Sequence, residues 1–154
     1  MTKKYFNLCL LAFLCGVVLL LGFTPHENKD KGQLVIQVDN ITQNTGIIWV
    51  GIYNSAENYL VKEKAIVEGI KVINTEPQKL VIEDLPYGTY AVALFHDINA
   101  NGEMDRNLLG IPSEPYAFSQ KPKSKWRIPK FEEVKFTFSH HQQQLHTTLI
   151  KWWQ

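Results

Sequence analysis

The sequence predicts an all-β fold: a single antiparallel β-sandwich of about seven short strands carrying one long loop. Three features point there. Apolar and polar residues alternate in several short runs, clusters of turn-forming residues separate the runs at sandwich spacing, and no repeat or helical heptad competes.

The chain opens differently. After Lys3 and Lys4 it runs almost without charge from Tyr5 to Phe23, then turns polar at Thr24, Pro25, His26, Glu27 and Asn28. That is the layout of an export signal over residues 1–23. No small-x-small cleavage site stands near Gly22, and the run falls just short of a comfortable span of about 20 residues, so cleavage is the expectation and an uncleaved anchor the alternative. Both cysteines, Cys9 and Cys15, lie inside this segment. A cleaved chain has no thiol for disulfide or nucleophilic chemistry. Without the segment the charged residues are fourteen Lys+Arg against fifteen Asp+Glu. So neutral a domain gives no electrostatic reason to expect nucleic acid. Residues 24–31 read as a tether and residues 32–154 as one domain; the roughly 130 residues after the signal are enough to bury a core of their own.

Leu34, Ile36 and Val38 point one way, Gln37 and Asp39 the other, as in a half-buried strand. Asn40 to Gly46 is a turn cluster, and its Asn40-Ile41-Thr42 is a short, weakly specific glycosylation match. Ile47 to Tyr53 is a more continuous apolar strand. Asn54 to Ile66 admits a short helix or an irregular crossover, which Gly69 ends. Lys79 to Asp84 alternates again. The turn Pro86-Tyr87-Gly88 leads into Thr89 to His96, where Tyr90, Val92 and Leu94 face one side and Ala91, Ala93 and Phe95 the other, the pattern of a central strand. From Asp97 to Pro129, prolines 112, 115, 122 and 129 forbid one regular element across the whole span. Two closing strands are expected at Phe131 to Phe138 and Leu145 to Trp152, with His140 to Gln144 as the turn between them.

The long loop starts with Asp-Ile-Asn-Ala-Asn-Gly-Glu-Met-Asp, residues 97–105. Asp97, Asn99, Asn101 and Asp105 match positions 1, 3, 5 and 9 of a calcium loop, Gly102 falls at the sharp turn of position 6, and Glu103 at position 7 supplies a backbone carbonyl. Such hard oxygen donors suit Ca²⁺. At position 12 Leu108 replaces the expected bidentate glutamate; Glu114, farther on, fills that vacancy if the loop folds back. With only two side-chain carboxylates, Asp97 and Asp105, at ligand positions of the short segment, the affinity expected is weak, about 10⁻⁴ to 10⁻³ M. The competing reading is a set of metal-free Asx turns, which these residues make unaided. Both stand.

The same stretch resembles a known family. The residues that carry the likeness are Tyr90 to Asn99, ending Phe95-His96-Asp97-Ile98-Asn99, then Asn101-Gly102, Asp105, Leu109-Gly110-Ile111-Pro112, Glu114-Pro115-Tyr116 and Phe118-Ser119. They resemble the exported bacterial family known as domain of unknown function 2141 (DUF2141), with its strand ending in His-Asp, its Asn-x-Asn-Gly-x-x-Asp loop and its Gly-Ile-Pro-x-Glu-x-Tyr-Gly-Phe-Ser segment. The likeness runs from about Gly32 to Trp152; Ala117 stands where the family more often has glycine. It implies export, a small β-sandwich and a characteristic surface from His96 to Ser119, but no activity. Leu85-Pro86-Tyr87-Gly88-Thr89-Tyr90 also looks like the turn into a strand of transthyretin-like and carboxypeptidase-regulatory-like sandwiches, an analogy of fold alone.

Nothing in the chain argues positively for hydrolysis. Ser113, Ser119 and Ser139 stand outside any nucleophile elbow. His96 reads as a support for the loop, and the enzymatic alternative pairs it with Asp97 or Glu114. His140, His141 and His146 read as solvated, and Tyr116, Phe118 and Trp126 as packing the loop. The expectation is an exported non-enzymatic binding or structural module, periplasmic, in the envelope or extracellular, with an unidentified protein, peptide or glycan ligand. Membrane contact is expected only through an uncleaved N-terminal segment.

Overall fold

The computed structural model describes residues 30–124 and 127–152. The expected signal or anchor, most of the tether, and Trp126 lie outside the described residues. Within them, alternation produces strands where it predicts them. β1 (Lys31–Asp39) buries Leu34, Ile36 and Val38, and β2 (Ile47–Tyr53) buries Ile48, Val50 and Ile52. After a 3₁₀ turn at Lys62–Lys64 come β3 (Ile66–Lys71), β4 (Gln78–Pro86) and β5 (Gly88–Asp97). Tyr116–Phe118 forms β6, Phe131–Val134 a single helical turn, α1, and β7 (Phe136–Phe138) and β8 (Gln143–Thr148) close the order.

The fold is all-β, in two sheets. One has the order β4-β1-β8; the other has the order β3-β2-β5-β6, with β7 also paired to β5. Leu34, Ile36 and Val38 of the first sheet share one buried cluster with Ile48, Val50, Val92 and Leu94 of the second. Each such aliphatic side chain contributes about 1.5–3 kcal/mol when fully withdrawn from water.

Three expectations are corrected. The strand order is not wholly antiparallel, because β8 runs parallel to β1, Leu34 opposite Gln143 through Asp39 opposite Thr148. The cause lies in β7, which pairs with β5; the turn after it carries the chain from one sheet to the other instead of folding β8 back on β7. Phe131–Phe138 is not one strand. Glu133 accepts the Lys130 backbone N–H at 2.8 Å and Lys135 N–H bonds Phe131 C=O, so Phe131 and Val134 are buried from a helical turn. The segment before Gly69 holds a 3₁₀ turn, and Gly69 lies within a strand, β3, antiparallel to β2.

Gly69 has a packing reason. It lies opposite Trp49 in a pair that exchanges no backbone bonds, where side chains approach most closely. A Cβ there would stand 2.9 Å from the indole ring. Trp49 therefore lies flat across the outer face of the five-stranded sheet.

Candidate functional site

The site grows from the end of β5. Successive strand residues point to opposite faces, so His96 enters the space between the sheets while Asp97 emerges on the outer face. Both are wholly buried. His96 Nε2 lies 2.7 Å from the Thr45 carbonyl, and its Nδ1 has no hydrogen-bond partner. The enzymatic pairing of His96 with Asp97 is thus divided by the sheet itself.

Asp97 is the nucleus of the loop. Its Oδ1 accepts the Asn101 backbone N–H at 3.1 Å; its Oδ2 accepts the Gly102 N–H at 2.7 Å and the Trp49 indole N–H at 3.1 Å. Burial pushes its carboxyl pKa up, but hydrogen bonds from Gly102, Trp49, Asn101 and Ala100 outweigh it and hold the group below the ordinary aspartate value. Gly46 makes room for this strand end: at φ +82° it packs so closely that a Cβ would fall 2.1 Å from the Asp97 carbonyl oxygen.

Asn99 and Asn101 each make an Asx turn, accepting the backbone N–H two residues on at 3.1 and 2.8 Å. Their amide groups donate to the two oxygens of Asp105, at 2.8 and 3.0 Å. Gly102 takes φ +82° at the turn, and Glu103 projects its side chain to solvent.

Glu114 folds back onto the loop's own backbone. Buried, it accepts the Ile98 N–H at 2.8 Å with one oxygen and the Asp105 N–H at 3.1 Å with the other. Asp97 and Glu114 therefore clamp the loop from within by hydrogen bonds to backbone amides. The fit to a cation follows from this donor set. Asp105 is half-buried, and among the described residues its carboxylate is bonded only by the Asn99 and Asn101 amides, so it is the carboxylate best placed to hold one; both Glu114 oxygens and both Asp97 oxygens already serve N–H donors. Among the described residues no group of three or more His, Cys, Asp or Glu stands together as a metal cluster.

From Arg106 to Pro112 the chain makes a small hairpin, closed by an isolated bridge and by Asn107, whose side chain accepts the Leu109 and Ile111 N–H groups. Its tip carries Leu108 and Leu109 fully into solvent. Residues 36–146 match the family described as "Uncharacterized protein conserved in bacteria (DUF2141)". The chain belongs to this family. The match takes in the whole loop, its clamp and the hairpin. No curated protein and no solved structure matches the chain.

Beside the loop lies a feature not read from the sequence. The outer face of the five-stranded sheet is a groove of about 990 Å³, floored by Gly51 and Ala93, walled by Trp49, Phe95, Tyr116 and Phe118, and bordered by Gly102 to Met104 of the family loop. Tyr116 and Phe118 meet edge to face, 5.8 Å between centroids. Tyr116 is buried and Phe118 half-buried, while His140, His141 and His146 are exposed. The signal available in sequence was small residues, Gly51 and Ala93, alternating with aromatics on strands buried on both faces.

Proposed function

We propose that the protein is an exported, non-enzymatic binding module of the bacterial envelope or exterior, with the aromatic groove as its ligand face and the loop from Asp97 to Asp105 forming one end of that face. The observation that carries this reading is the hydrogen bond from Trp49 Nε1 to Asp97 Oδ2 at 3.1 Å. It ties a tryptophan of the groove wall to the carboxylate around which the loop folds. Groove size and composition support a ligand site, being concave, mostly apolar and edged with a few polar groups. Binding rather than catalysis is supported by the occupation of both buried carboxylates with backbone N–H groups and by His96 facing the other way. The shared core of the two sheets supports a transthyretin-like or carboxypeptidase-regulatory-like sandwich as the underlying architecture.

The test is a screen of peptide and glycan arrays with wild type and with Ala93→Trp, which fills the groove floor. Ligands held by wild type and lost by the filled variant support the reading; none from either array favours a purely structural envelope protein. Mass spectrometry of the mature N-terminus tests export, with loss of about the first 23 residues expected.

Within this reading the loop takes Ca²⁺ weakly, through Asp105 and the Asn99 and Asn101 oxygens after the asparagine amides turn over. The favouring feature is the register of oxygen side chains with Gly102 at the turn. Calorimetric titration of the chelator-treated protein is expected to give a Kd of about 10⁻⁴ to 10⁻³ M, abolished in Asp105→Ala. Absence of heat up to about 10 mM, well beyond that range, would leave the loop as Asx turns and remove the metal from the reading.

A further inference from the structure

The backbone of β3 carries an unused template. Val72 N–H bonds Gly46 C=O, continuing the ladder in which Ile47 faces Lys71 and Ile52 faces Ile66. The phase of an antiparallel ladder then makes Ile70/Ile48, Glu68/Val50 and Ile66/Ile52 the pairs that exchange bonds. Val67, Gly69 and Lys71 consequently turn their N–H and C=O groups away from β2, toward the edge of the sheet. Among the described residues nothing bonds to them. β3 is also the terminal strand in its sheet order.

This edge carries the charges of Glu68 and Lys71, but beside them it exposes more apolar surface than natural edges usually do. Ile66 and Val67 are 44% and 40% exposed, and Leu60, Val61 and Ile73 add exposed apolar surface in the same stretch of chain. A row of free backbone groups flanked by apolar side chains is built for another strand.

We infer that two copies of this chain pair through β3, antiparallel, about a two-fold axis at Gly69. The choice of a second copy rests on self-complementarity. With the axis at Gly69, Gly69 faces its own copy and Val67 faces Lys71 of the other strand in both directions, so every outward-turned residue exchanges backbone bonds. Glu68 then lies opposite Ile70, and Ile66 opposite Val72. An axis at Glu68 sets like charges opposite one another and leaves Lys71 without a partner; an axis at Ile70 leaves out Val67. Gly69 on the axis has no side chain to obstruct the approach, and the Trp49 indole packed over it brings the two rings side by side. A two-fold axis perpendicular to the sheet keeps each face on its own side. The two β3-β2-β5-β6 sheets become one, and the two grooves open on the same surface.

The experiment is sedimentation of the full chain from about 1 to about 100 µM, the range of a modest dimer, for wild type and Val67→Pro. Proline is tolerated on an edge strand where its nitrogen faces outward, as it does at 67. The pairing with β2 stays intact while a donor of the new interface is lost. Wild type is expected to dimerise and Val67→Pro to remain monomeric, with the same β-type circular dichroism. In the Cys9→Ser, Cys15→Ser background, Val67→Cys with Lys71→Cys is expected to form a disulfide-linked dimer, since directly opposed, hydrogen-bonded residues have Cα atoms about 5.5 Å apart, whereas either cysteine alone is not. A wild-type monomer at every concentration, or a dimer that survives Val67→Pro, overturns the inference. Should Val67→Pro fail to fold, the cysteine pair decides: no cross-link, no β3 interface.

Discussion

At the scale of single residues, the loop depends on Asp97 more than on any other side chain. Its two oxygens satisfy the N–H groups of Asn101, Gly102 and the Trp49 indole in a buried position. Truncation orphans those donors, so Asp97→Ala is expected to destabilise the protein by about 3 kcal/mol, measurable by urea denaturation. Asp97 also makes stability depend on pH with a defined sign. Its folded-state pKa is depressed, so its contribution is full above the unfolded value of about 3.9 and is lost as pH falls through the folded value. Glu133 acts in a neighbouring window: the Arg127 side chain, at 2.6 and 2.8 Å, and the Lys130 N–H hold it down to about 2. Comparing wild type with Asp97→Asn separates the two. Melting temperatures between pH 5 and pH 2 are expected to fall less steeply in the variant; parallel curves would mean that Asp97 holds no excess charge stabilisation. The oxygen positions of this loop were legible in sequence because their spacing is local. Where each oxygen points was not, since Trp49 and Glu114 reach Asp97 and the loop backbone from elsewhere in the chain.

At the scale of elements, strand existence was legible wherever period two meets a buried face, as in β1, β2 and β5. It failed at β3, whose burial is slight on both sides, so no alternation marks it; only its ladder with β2 makes it a strand. It failed also at α1, where Phe131 and Val134 stand three apart, as on one helical face, but Val134 also begins the period-two run with Phe136 and Phe138 that reads as a strand. The junction between β2 and β5 offers a sharp test. Gly46 has φ +82° and an approach to the Asp97 carbonyl that leaves no room for a methyl group. Gly46→Ala combines left-handed strain with a backbone clash and is expected to cost more than about 3 kcal/mol. Gly102 has the same φ but open space around it, so Gly102→Ala is expected to cost about 1 kcal/mol. Equal losses, read from paired denaturation curves, would show that conformation alone, and not the approach to Asp97, sets the requirement at Gly46.

At the scale of the whole molecule, the two sheets meet in one core, and the chain completes that core only with its last strand. β1 lies between β4 and β8, and its parallel partner arrives about a hundred residues later, as in the Thr147 hydroxyl donating to Gln37 C=O across 110 positions. A closing strand starting at Leu145 was legible in sequence but the strand it pairs with was not, because a parallel pairing between distant strands leaves no turn signature. Loop closure over that distance is slow to be repaid, so refolding is expected in milliseconds to seconds. If β8 docks after the folding barrier, Leu145→Ala, a buried truncation of about 3 kcal/mol, leaves the folding rate unchanged and speeds unfolding about a hundredfold. Stopped-flow tryptophan fluorescence across a denaturant series reads both limbs. Slower folding with unchanged unfolding would instead place the β1–β8 pairing inside the folding nucleus, with the first and last strands joined before the loop between β5 and β6 takes its final form.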